Sequence, residues 1–179
     1  MIPPTIHRVW LGGNLPPPLE INHFWTMMWT EQNVHLLDIK PEEWEHSTYA
    51  GSSNIIRLHA VRKFGGIYMD TDCEVVGDLK PLLLNNAFCA RQASDPNITC
   101  NAVFGATPNH PWILRMIEAY KGREKESADV GCYIMEECLG PDVTVLPTDW
   151  FYPYNWNEKP KPPTENTIII HKWEGSWTK

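Results

Sequence analysis

Positive charge is scarce in this sequence: 15 Lys and Arg residues stand against 22 Asp and Glu, a formal net charge of −7. So acidic a chain repels a phosphate backbone, which argues against nucleic acid as a partner and against adsorption to anionic membranes. Any anionic ligand must therefore be held locally, by a metal or by a few placed Arg and Lys side chains. Long apolar runs are missing as well, so no transmembrane segment is expected. Cysteine is sparse: Cys73, Cys89, Cys100, Cys132 and Cys138 are odd in number and form no CxxC pair. They read as reduced thiols, mostly small core residues, although the spacing of Cys132 and Cys138 invites a disulfide reading. The first residues, Met1-Ile2-Pro3-Pro4, do not resemble a secretory leader. The expectation is a cytoplasmic protein in which the Asn97-Ile98-Thr99 sequon is accidental.

Tryptophan and proline, by contrast, are abundant, at 9 and 16 of 179 residues. Tryptophan gathers towards the two ends. Its flat faces suit sugar rings and nucleobases, but it also fills small cores well, and composition alone favours the core. The length fits one domain over residues 1–179, and no linker or internal repeat divides it.

Hydrophobic patterning predicts a strand over residues 5–11, ended by Gly12-Gly13-Asn14, a helix over 16–31 and a strand over 34–39. A helix capped by Ser52 or Ser53 should run to Phe64 and stop at Gly65-Gly66. Short strands follow at 67–69 and 73–76, then at 86–91 and 102–105. Helices are expected over 111–121, introduced by Asn109, and over 130–139, with strands at 143–146 and 167–171. Residues 147–164, rich in proline and aromatics, read as irregular. Strands and helices alternate, so the class is α/β.

One constellation carries chemistry. In Phe64-Gly65-Gly66-Ile67-Tyr68-Met69-Asp70-Thr71-Asp72 an apolar strand ends in two carboxylates one residue apart. Ligands of α/β sheets bind beyond the carboxyl ends of strands. Two like charges there are costly unless a positive partner is present, and carboxylates suit a hard divalent cation. A cation that takes part of its shell from protein leaves room for a diphosphate. An Asp-x-Asp pair alone is common in solvated turns; the apolar strand and the helix–Gly–Gly approach distinguish this one. Arg57 is the second element, sharing a helix face with Asn54 three residues earlier. Placed near the helix N-terminus, its charge would be disfavoured by ~0.3–1 kcal/mol unless an anion lay close. The third is His171, which ends the last predicted strand and can ligate Mn²⁺.

Together these residues resemble the family-32-like sugar transferases with a DxD sugar-binding region. That group includes capsule, lipopolysaccharide and outer-chain mannosyltransferases and, distantly, glucosylating toxins. Ile6-His7-Arg8-Val9-Trp10-Leu11-Gly12-Gly13 is similar to the IHxxWxG start. Ser53-Asn54-Ile55-Ile56-Arg57 followed by Gly65-Gly66-Ile67-Tyr68-Met69-Asp70-Thr71-Asp72 resembles the SDxxRxxxLxxxGGxYxDxD signature. His171-Lys172-Trp173-Glu174-Gly175-Ser176-Trp177 resembles the HxxxxSW end.

The resemblance implies a GT-A-like single domain with a mixed central sheet flanked by helices, and a retaining hexosyltransferase. The donor would be a UDP- or GDP-sugar and the acceptor a glycan or other hydroxyl, as in polysaccharide biosynthesis. It also implies a divalent metal, Mn²⁺ before Mg²⁺, held by Asp72 with Asp70 and His171. Val9, Trp10, Asn54, Arg57, Tyr68, Asp70, Asn101, Ser176 and Trp177 would bind the donor, with Arg57, Asp70 and Asn54 at the chemistry. Asn54 departs from the pattern, because the family usually has aspartate there; asparagine can hydrogen-bond a sugar hydroxyl but cannot act as a base.

The mechanism implied is electrostatic stabilisation of the leaving diphosphate by metal and Arg57, with the acceptor attacking from the leaving-group side. Two rivals stand beside it. A DxD phosphatase would want Thr or Val two residues after the second Asp, where Glu74 stands. A degenerate transferase fold that only binds sugar or nucleotide is consistent with Asn54.

Overall fold

The computed structural model describes residues 1–45, 48–123 and 130–175. Strand β1 (Thr5–Val9) carries β2 (Trp25–Trp29) in parallel on one side and β3 (Gly66–Met69) in parallel on the other. Strand β6 (Thr99–Ala106) pairs antiparallel with β3 and with β5 (Ala87–Arg91), and β7 (Thr144–Leu146) closes the row. The order is β2-β1-β3-β6-β5-β7, a mixed six-stranded sheet, with β4 (Cys73–Val75) and β8 (Ile169–His171) forming a separate antiparallel pair.

The pleat divides two cores. Tyr68 of β3 points into a core shared with the helices, whereas Ile67 and Met69 point to the opposite face. The helical layer comprises α1 (Pro41–Trp44), α2 (Tyr49–Phe64), α3 (Pro111–Tyr120) and α4 (Val130–Glu137). Behind the other face the proline- and aromatic-rich segment supplies Phe151 and Tyr152, both buried against Phe88, Met69 and Val103. Trp29, Trp44 and Trp112 are buried and serve packing, whereas Trp25 and Trp156 are exposed.

Four local expectations are overturned. Residues 16–31 do not form a helix: they run irregularly from Pro16-Pro17-Pro18 into β2. Three successive prolines withhold three N–H donors, and pairing of β2 with β1 overrides the helical spacing. Residues 34–39 are not a strand. Val34–Leu37 is a 3₁₀ turn, prepared by Asn33, whose Oδ1 accepts from Thr30 N at 2.8 Å, and ended by Asp38 at φ 57°. Helix α2 begins earlier than predicted, with Thr48 Oγ1 accepting from Gly51 N at 3.1 Å. Arg57 is consequently mid-helix, so the charge penalty of a helix N-terminus does not fall on it. His110, rather than Asn109, caps α3 through Nδ1, which accepts from Trp112 N at 3.2 Å.

Gly65-Gly66 does more than end a helix. Gly65 takes φ 62° as the cap, and a Cβ on Gly66 would lie 2.5 Å from Thr5 O. His7 fixes the same junction: its Nε2–H donates to Gly65 O at 2.7 Å and its Nδ1 accepts from Trp29 Nε1 at 3.1 Å. Both ring nitrogens are thus used by a neutral imidazole, and burial pulls the pKa down to about 4.

Candidate active site

Because β1 and β3 are parallel and in register, Arg8, Val9, Trp10 and Asp70 emerge at one end of the sheet. Strand β6 runs the other way, so its early residue Asn101 reaches the same end, and Asp70 N donates to Ala102 O at 2.9 Å.

Asp70 and Asp72 have different partners. Asp70 Oδ1 accepts from Tyr68 OH at 2.6 Å and lies 3.4 Å from Arg57 Nη2. Arg57 is buried; its Cζ stacks 4.4 Å over the Tyr68 ring, Nη1 donates to Asn101 O at 2.8 Å, and Nε and Nη2 donate to Ser53 O and Oγ. Burial opposes charge on that guanidinium, but Asp70, with smaller contributions from Tyr68, Tyr120 and Cys132, outweighs it, and the Arg57 pKa lies above its usual value. Burial, reinforced by Asp70, drives the Tyr68 phenol well up, so it stays a hydrogen-bond donor.

Asp72 is served by the C-terminal segment. His171 Nε2 lies 3.2 Å from Asp72 Oδ1 and 3.9 Å from Asp70 Oδ2. Glu174 N donates to Asp72 Oδ2 at 3.0 Å and Lys172 N donates to Asp72 O at 3.1 Å. Burial pushes the Asp72 carboxyl up, but His171 and the Glu174 amide together carry it below the ordinary carboxylate value. Trp173 packs on the His171 ring at 4.1 Å between centroids. Ser176 and Trp177 lie outside the described residues.

The predicted residues among those described thus converge from five separate stretches of chain. Asn54 is among them but has no open face: it is buried, and its Oδ1 accepts from Asn101 Nδ2 at 2.9 Å. The pair lines a cavity of about 10 Å³, room for about one water, beneath Tyr120 and Gly131. Trp10 lies half-buried at the end of β1, where Trp10 N donates to Trp29 O at 2.9 Å; its indole Nε1 is buried with no partner among the described residues.

Sequence reasoning missed three residues as site residues. Arg8 is buried, donates through Nη2 to Thr71 O in the turn between the two aspartates, and leaves Nε without a partner among the described residues. Burial pulls its pKa down, against the pull of Cys73, Tyr68, Asp70 and Asp72. A basic residue inside an apolar strand, within the opening motif, was the available signal. Gly131 of α4 is the second: a Cβ there would lie 2.2 Å from Asn101 Nδ2 and 3.0 Å from Asn54 Oδ1. Cys73 is the third. Its thiol, the Asp72 carboxylate and the His171 imidazole place one ligand atom each within 4.8 Å of one another.

The fold is GT-A-like, a mixed central sheet flanked by helices. Residues 20–89 match the family described as the glycosyltransferase sugar-binding region containing the DXD motif, in agreement with the motif resemblance. The chain is 25% identical over 140 residues to the mannosyl phosphorylinositol ceramide synthase CSH1 of Saccharomyces cerevisiae, covering 70% of this chain and 37% of that protein. It is 41% identical over 69 residues to the alpha-1,4-N-acetylglucosaminyltransferase of Homo sapiens, covering 38% of this chain and 18% of the relative. The chain thus spans less than half the length of either curated relative. Among solved structures, the PaToxG glycosyltransferase superposes with a TM-score of 0.54 at 15% identity, covering 77% of this chain and 69% of that one. Among the described residues no helix is long and apolar enough to cross a membrane.

Proposed function

We propose that this protein transfers a hexosyl group, with retention, from a UDP- or GDP-sugar to a hydroxyl acceptor, using a divalent cation held at Asp72 and His171 near Asp70. The observation that carries the reading is the approach of His171 Nε2 to within 3.2 Å of Asp72 Oδ1 and 3.9 Å of Asp70 Oδ2, from a strand distant in sequence. Ligands sharing one octahedral shell at 2.0–2.1 Å bonds are roughly 3 Å apart. The donor set of carboxylate oxygen, imidazole nitrogen and thiol sulfur fits Mn²⁺ better than the harder Mg²⁺. The relatives named above carry mannosyl and N-acetylglucosaminyl groups in their names, which supports a hexosyl donor.

When bound, the cation would supply Lewis-acid neutralisation of the leaving diphosphate. The chain's own residues do the rest. Arg57, fixed by Ser53, Tyr68 and Asn101, presents a preorganised positive charge next to Asp70. Asp70, held by the Tyr68 hydroxyl, is placed to accept from a sugar or ribose hydroxyl. Arg8 anchors the turn between the aspartates and adds a second buried positive charge. Trp10 offers an aromatic surface for a nucleobase, and Asn54 positions Asn101 rather than acting as a base.

The test is a donor panel. Hydrolysis of UDP- and GDP-sugars should be stimulated by Mn²⁺, and Asp72→Ala should abolish the stimulation; full metal-stimulated turnover in that variant would refute the assignment. Asn54, standing where the family has aspartate, favours one second reading: a binding module with little turnover. Calorimetry showing metal-dependent nucleotide binding without hydrolysis would select it.

A further inference from the structure

The loop and strand after Asp72 place a thiol where the family motif specifies none. Cys73 and His171 are direct cross-strand partners in the antiparallel pair of β4 and β8. Such partners keep their Cβ atoms about 4.5–5.5 Å apart on the same face. Asp72, one residue earlier, is turned onto this pair by the Lys172 and Glu174 amides. One oxygen, one sulfur and one nitrogen therefore meet within 4.8 Å. Two ligands of one ion can be no farther apart than the sum of their bonds, about 4.4 Å for a thiolate and an imidazole. The 4.8 Å within which the three ligand atoms lie is close to that bound. Asp70 is less available, since its Oδ1 is already engaged by Tyr68 and Arg57. Cys73 also borders an open groove of about 520 Å³ lined by Leu19, Glu20, Ile21, Asn22 and β4.

We propose that Cys73 is a third protein ligand of the cation site, with Asp72 and His171, and that it sets the site's preference for thiophilic divalent ions. The inference rests on reading the Asp-x-Asp pair as a cation site. A thiolate suits Zn²⁺ and Co²⁺ but offers little to hard Mg²⁺, which demands oxygen ligands. On ligation the thiol gives its proton to solvent and the sulfur forms the bond to the ion. The remaining positions of the shell stay open to a diphosphate oxygen, as a working site requires.

The experiment titrates the whole chain with Co²⁺ and follows its absorption. The wild type should show sulfur-to-cobalt charge transfer in the near ultraviolet together with ligand-field bands. Cys73→Ser should retain Co²⁺ through Asp72 and His171, lose the charge-transfer band, and bind Zn²⁺ on the order of tenfold more weakly or worse. Its Mg²⁺ affinity should be nearly unchanged. The other four cysteines are controlled for by this comparison. Should Cys73→Ser not fold, Cys73→Ala or the wild-type spectrum with Asp72→Asn serves in its place. Co²⁺ binding that Asp72→Asn abolishes, but without charge transfer or without change in Cys73→Ser, overturns the role of Cys73 alone. Failure of the wild type to bind any of Co²⁺, Zn²⁺ or Mn²⁺ overturns the cation site itself.

Discussion

Mild acid should weaken this fold through a residue of the opening motif. His7 is fully buried, with both ring nitrogens engaged as a neutral imidazole, and its pKa falls from 6.5 to about 4. At pH 7 neither folded nor unfolded chain protonates it appreciably. As the pH falls, the unfolded chain takes up the proton near 6.5, while the folded ring refuses it until about 4. The unfolded state therefore binds more protons throughout that window, and stability declines with falling pH. A 2.5-unit difference corresponds to about 3 kcal/mol once the pH is below 4, of which about 2 kcal/mol is lost by pH 5. Depressed carboxylates such as Asp72 and Asp142 release their contributions at lower pH, so the interval from 7 to 5 isolates the histidines. His59, also lowered to about 4 by burial, adds a similar loss. The assay is urea unfolding at pH 7 and pH 5 for the wild type and His7→Gln. The variant should start less stable, but should lose about 2 kcal/mol less between the two pH values. Equal losses in both proteins would refute the assignment of His7 as a neutral buried tie.

Arg57→Lys should keep a positive charge near Asp70 yet forfeit the planar fork that reaches Ser53, Asp70 and Asn101 together. Nucleotide-sugar hydrolysis should fall on the order of 10²-fold or more, and near-normal kcat would show that only charge matters. Arg57→Ala should also destabilise by about 1–3 kcal/mol, because it removes a buried guanidinium that bonds Asn101 O and Ser53 and faces Asp70, as a thermal unfolding series would reveal. Gly131→Ala should cost about 1–3 kcal/mol and displace Asn101, since the new methyl has no room beside Asn101 Nδ2. An unchanged Tm there would mean α4 moves freely. Gly66→Ala, at φ 113° and 2.5 Å from Thr5 O, should lower yield and Tm more than Gly13→Ala, whose added methyl meets no neighbour within 4 Å.

Most of the central architecture was legible because its signals were local. The apolar strand 67–69, the glycine pair and the carboxylates sit on one short stretch, and the structure keeps them in that order. The long helix was visible up to its end, where Gly65 has a positive φ, but its beginning lay at Thr48. Residues 16–31 and 34–39 were misread because spacing alone cannot show that Trp25–Trp29 has a parallel partner in β1, or that Asn33 and Asp38 tighten the following turn. The irregular 147–164 segment was anticipated, yet its burial of Phe151 and Tyr152 against the sheet was not.

By itself the sequence determined a carboxylate pair at a strand end, a helix broken by two glycines before it, and a histidine–tryptophan tail after it. Those features depend on neighbours along the chain, and covalent proximity preserves them in any fold. Only the tertiary structure decided that Arg57 faces Asp70 while His171 faces Asp72, that Arg8 grips the turn between them, and that Cys73 joins the second cluster. Those pairings are fixed by strand register and by helix packing across the sheet, where a shift of one residue turns each side chain to the opposite face.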